Sequence, residues 1–130
     1  MLFRLKVITV ALIIAVSGLI PAAASGSNAK QNIEGIIEYN LQKSAAGSVQ
    51  EWIDGKLSEN AGMSGEWYVF GLSRYGEYDF SAYNAALNEY LSEKEVRSAS
   101  SRLKFAIVLA CTESGNSYIQ TALDSSVGGQ

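Results

Sequence analysis

Histidine is absent from this chain, and cysteine occurs once, as Cys111. Without histidine no Cys-His nucleophile pair can be assembled. A single cysteine forbids an internal disulfide, so the fold must be held by packing alone. Cys111 ends the apolar run Phe105 to Ala110, a setting that predicts a buried, structural and inert thiol. Asp54, Asp79 and Asp124 stand far apart, and neither a glycine-rich phosphate loop nor spaced cysteine pairs occur. Basic clusters are missing too. The net charge is −3 with the charges dispersed, which argues against nucleic acid and against anionic membranes as partners. The one proline, Pro21, lies near the start, so glycine and serine punctuate everything after it. No metal, cofactor or catalytic set is expected from these residues.

What is present begins with a leader. Arg4 and Lys6 precede the apolar run Val7 to Ile20, and Pro21-Ala22-Ala23-Ala24 follows. A basic start, a short apolar core and a small-residue cleavage site make residues 1–24 a secretory signal peptide. The run is shorter than the roughly 20 residues that span a bilayer. The product is therefore expected to be secreted or at the cell surface, with no membrane association beyond export. Loss of Arg4 and Lys6 leaves the mature chain more acidic still.

Residues 25–31 are small and polar and read as a flexible start, and 32–130 as one domain. Ile33, Ile36, Ile37 and Leu41 give the first helix face, from Asn32. Ser48 and Glu51 form a capping box for a second helix, weakened at Gly55 and ended by Asn60-Ala61-Gly62. A third runs from Ser64 to Gly76, read as a C′ glycine. A fourth, capped by Ser81 or Asp79, carries Tyr83, Ala86, Leu87, Tyr90 and Leu91 on one stripe, with Asn84, Asn88, Glu89 and Ser92 opposite. Glu93 and Arg97 stand at pairing distance on a helix. The fifth, about Ser101 to Cys111, is apolar on nearly all sides from Phe105 onward; the β-branched Ile107 and Val108 leave a buried strand as its rival, while the lead-in Arg102-Leu103-Lys104 favours helix. A short sixth spans Ser117 to Leu123.

The third and fifth segments, Ser64 to Gly76 and Ser100 to Gly115, recur at about 36 to 39 residues, within the period of helical repeats. A helix apolar all round must be covered all round, whereas a one-stripe helix lies outermost. Alternation of the two kinds predicts an all-α stack of αα-hairpins, with Trp67 and Phe105 to Cys111 on inner helices.

Glu66-Trp67-Tyr68-Val69 with Arg74-Tyr75-Gly76, and Ser100-Ser101-Arg102-Leu103-Lys104-Phe105-Ala106, resemble the exported bacterial prenyltransferase and squalene-cyclase repeat proteins. These belong to the terpenoid cyclase and protein prenyltransferase α/α-toroid superfamily. The resemblance spans most of Ile33 to Gln130 and implies αα-hairpin repeats forming part of an α/α toroid. It also implies further hairpins beyond Gln130, so the chain reads as C-terminally truncated. Squalene-type cyclases in that superfamily use an Asp-x-Asp-Asp acid, which is not found here. Protein prenyltransferases hold zinc through Asp, Cys and His, a set that cannot form without histidine.

Three functional readings remain, of which the plainest is a structural fragment with no activity of its own. The leading one is an exported non-catalytic helical-repeat domain that binds a ligand or partner protein through one helical face. The second is a fragment of a terpenoid-cyclase-like or prenyltransferase-like enzyme whose catalytic residues lie outside this chain. Trp52, Trp67, Tyr68, Phe70, Tyr75, Tyr83 and Tyr90 could line a cavity for an apolar or cationic ligand, or simply form core. Trp67 and Tyr68 are the strongest ligand candidates. Glu66 and Arg102 hold equivalent repeat positions and could pair across neighbouring helices at the rim of a binding face, or be ordinary first-turn residues, Glu66 complementing the helix dipole and Arg102 solvated. An uncovered helical face would also allow self-association.

Overall fold

The computed structural model describes residues 24–127, so the leader up to residue 23 lies outside the described residues. Every regular element among them is helical, and the stretch with Ile107 and Val108 is helix rather than strand. The chain divides into two compact units at Lys43 and Ser44.

The described part of the first unit is helix α1, Ala24–Lys43. It begins well before Asn32, so residues 25–31, read as a flexible start, are part of it. Ile33, Ile36 and Tyr39 lie exposed along it. Asn40 is buried and donates its amide to the Ile36 carbonyl at 2.8 Å, one turn back. Lys43 complements the helix dipole in the last turn and lies 6.0 Å from the Tyr39 ring.

The second unit opens with a turn in which Ala45 has φ 54°. Helix α2, Val49–Trp52, starts where the Glu51 amide donates to the Ser48 hydroxyl at 3.1 Å. The Glu51 carboxylate accepts from the Gly47 amide at 2.7 Å, one residue earlier than in a standard capping box. At Ile53–Leu57 the helix widens into a π-helical turn centred on Gly55, the residue that marked a weak point in the sequence. The Ser58 hydroxyl seals it on the Ile53 carbonyl at 2.6 Å.

Gly62 (φ +85°) and Gly65 (φ +90°) reverse the chain and deliver it into α3, Glu66–Tyr75. That helix starts later than Ser64, and its terminal Gly76 is extended rather than left-handed, so no C′ glycine motif forms. Helix α4, Ser81–Glu93, is prepared by the Asp79 carboxylate, which accepts from the Ser81 amide at 2.9 Å and from its hydroxyl. The Gln50 side chain pins the same loop, donating to the Asp79 carbonyl at 2.7 Å and accepting from its amide at 3.0 Å. Helix α5, Ala99–Thr112, is capped by the Ser98 hydroxyl, and α6 spans Ser117–Val127. Because α4 ends at Glu93, Arg97 lies off the helix and bonds Glu95 at 3.4 Å instead of Glu93.

Helix α5 packs on α6 and on α3, while the π-helical turn packs on α4 and α3. Ile53, Val69, Tyr83, Leu87, Val108 and Leu109 form the centre of the core. The inner and outer assignment does not hold as expected. Helices α3 and α5 are enclosed on one side only, leaving Trp67, Tyr68, Tyr75, Leu103 and Ile107 exposed. On α4 the polar side stays largely in solvent, with Glu89 and Ser92 exposed, and Asn84 alone of that side is buried, where it finds partners. Its amide donates to the Thr112 carbonyl at 3.1 Å and its oxygen accepts from the Thr112 hydroxyl at 2.7 Å. A buried polar group with satisfied bonds is tolerated where an apolar stripe alone would not predict it. Cys111 is likewise exposed, not buried, since it lies on the uncovered side of α5.

Candidate functional site

The left-handed Gly65 aims the first residue of α3, Glu66, inward rather than to a rim. Its side chain is only 1% exposed. Tyr83 of α4 donates to Oε2 at 3.2 Å, and Lys104 Nζ of α5 stands 3.7 Å from Oε1. Burial pushes the Glu66 carboxyl above its ordinary range, opposed first by the Lys104 charge and then by Tyr83 and the Gly62 amide. The Tyr83 phenol is pushed up as well, by burial first and then by the neighbouring carboxylate. One buried acid thus ties three helices together.

The expected Glu66–Arg102 pair does not form. Lys104 takes that place, because α5 turns position 104 toward α3 and position 102 away. Arg102 Nη1 instead donates to the Val96 and Arg97 carbonyls at 3.0 and 2.8 Å, holding the loop before α5. Burial raises the Tyr118 phenol on α6, and the charge of Arg102 opposes this. Arg102 Nε and the Tyr118 hydroxyl, both buried, make no hydrogen bond, nor does Glu66 Oε1 beyond its ion pair.

Trp67 and Tyr68 point elsewhere. Trp67 is 59% exposed with its ring edge-on to Phe70 at 6.0 Å, and Tyr68 is 45% exposed and tilted against the buried Trp52 at 5.4 Å. The four candidate residues therefore do not meet in one site. Two are surface rings, one is a buried acid and one is a loop anchor. Sequence reasoning passed over Lys104, because its partner is set by helix packing and no spacing announces it; Tyr83 was legible only as an aromatic.

A cavity of about 350 Å³ opens near the start of the second unit, lined by Ser44, Ala46, Glu51, Trp52, Lys56 and Glu59 among others. Of the aromatic set only Trp52 reaches it, so it is not the ring-lined cavity the composition suggested. Its charges are already engaged: Glu51 with the Gly47 amide, and Lys56 with Glu59 at 3.9 Å. A second polar cluster fastens α4 to the α5–α6 turn. The Asn88 and Asn116 amides both donate to Glu113, which holds that carboxyl below its usual range.

Among the described residues, no group of three or more His, Cys, Asp or Glu side chains could hold a metal ion. No described helix is long and apolar enough to cross a membrane. No protein-family model matches this chain, and no curated protein or solved structure matches it either.

Proposed function

We propose that the chain is an exported, non-catalytic helical-repeat domain of the α/α-toroid kind its sequence resembles. It binds a partner protein through the uncovered side of α3. The observation that carries this reading is the exposure of Trp67 and Tyr68 on consecutive positions of a helix whose other face is core. Exposed aromatic rings offer large rigid contact area and are over-represented among the residues that dominate protein interfaces. Exposed Leu103 and Ile107 on the neighbouring α5 add apolar surface of the same character. The packing of α3 on α5 is also what two successive hairpins would require. The buried, ion-paired state of Glu66 speaks for a structural role and against open-site acid chemistry.

A photo-crosslinking amino acid in place of Trp67, with a control at exposed Glu93, identifies the partner in the producing cell. With that partner purified, Trp67→Ala and Tyr68→Ala are each expected to weaken binding about tenfold or more. Unchanged affinity in both variants would remove the reading.

A further inference from the structure

Glu66 is a buried carboxylate at a junction of three helices with a single charged neighbour, and that neighbour has a way out. The Lys104 side chain is 26% exposed and its ammonium also lies 5.0 Å from the Phe105 ring. From α4 only the neutral Tyr83 hydroxyl faces the acid, and from the turn before α3 only the Gly62 amide. On the π-helical turn packed against α3, Asp54 lies exposed and bonded to Gln50, while Lys56 pairs with Glu59 in solvent. The two carboxyl oxygens are unequal. Oε2 accepts from the Tyr83 hydroxyl, whereas Oε1 makes no hydrogen bond and stands 3.7 Å from Lys104 Nζ.

We propose that Glu66 is a proton-operated latch on Lys104. Ionised, it draws the ammonium into the α3–α5 junction; protonated, it stays bonded to Tyr83 and releases Lys104 to solvent. The result is a mobile positive charge on α5 that appears on mild acidification with the fold intact. The driving force is simple: a lone ion pair in a poorly hydrated place is attractive only while both members are charged. The elevated proton affinity that burial confers on Glu66 brings the event into a milder pH range than an exposed glutamate would allow. The latch does not depend on the partner-binding reading.

The test is a pH titration of the full mature chain by NMR, between about pH 4 and 8, following the Glu66 carboxyl carbon and the Lys104 side-chain nitrogen. Both should move with one midpoint, above the ordinary glutamate value. Glu66→Gln should abolish the Lys104 transition. Lys104→Gln should raise the Glu66 proton affinity further, by about tenfold, because the opposing charge is gone. A Lys104 signal indifferent to the Glu66 titration overturns the proposal, as does a Glu66 midpoint at or below the ordinary glutamate value. If Glu66→Gln does not fold, the two wild-type titration curves decide alone.

Discussion

Gly62→Ala puts the turn before α3 to a quantitative test. A β-carbon there would lie 2.2 Å from Tyr90 Cδ1 and 2.3 Å from Cγ, far inside any real contact, so the ring must move. That ring stands edge-on to the buried Phe105 at 6.1 Å, and displacing it disturbs the α4–α5 seam. The backbone adds its own penalty, since φ is +85°. A left-handed alanine costs roughly 1–2 kcal/mol, and forcing extra volume into a packed site about 1–3 kcal/mol more. The expected loss is thus about 2–5 kcal/mol, a large part of the stability of a small domain. Urea unfolding followed by circular dichroism measures it. The causal step is isolated by a double-mutant cycle with Tyr90→Ala, which opens the space. Rescue of about 1 kcal/mol or more in the double variant is expected, leaving only the backbone share. Additive losses, or a Gly62→Ala cost below about 0.5 kcal/mol, would refute the close approach of ring and turn.

Leu109→Ala should cost about 2–5 kcal/mol, whereas Ile107→Ala, at a residue 43% exposed, should cost below about 1 kcal/mol; equal costs would mean that α5 is enclosed all round. For Glu66 the sign follows from its raised proton affinity in the folded state. Its contribution is full below the unfolded value and is lost as pH rises through the folded one. Wild-type stability relative to Glu66→Gln should therefore increase as pH falls from neutrality, and a difference that shrinks on acidification would reverse the assignment. Cys111 should react with a thiol reagent in the native chain while circular dichroism stays unchanged. Protection until denaturant is added would restore it to the core.

Much of the helical architecture was legible in the chain because its signals are local. Ser48 with Glu51, the Asn60-Ala61-Gly62 break, Asp79 before Ser81 and the 3.6-residue spacing of apolar positions act within a few residues of themselves. They placed the helices and their approximate ends, and Gly55 marked the place where α2 widens. Boundaries slipped where the backbone conformation of a flanking residue decided them, as at the left-handed Gly65 before α3.

The sides of those helices were a different matter. An α5 apolar all round from Phe105 onward could be covered anywhere on that circumference, and the positions of α3, α4 and α6 chose Phe105, Val108 and Leu109 while leaving Leu103, Ile107 and Cys111 to solvent. Glu66 pairs with Lys104, and Asn84 with Thr112, across separations that no periodic pattern encodes. Helix formation is a property of neighbouring residues, so the sequence by itself determined an all-helical chain with no disulfide, no histidine chemistry and dispersed charge. Burial, ion pairing and proton affinity depend on what another helix brings alongside. Those belonged to the tertiary structure, which turned a supposed binding-rim glutamate into the buried acid at the junction of α3, α4 and α5.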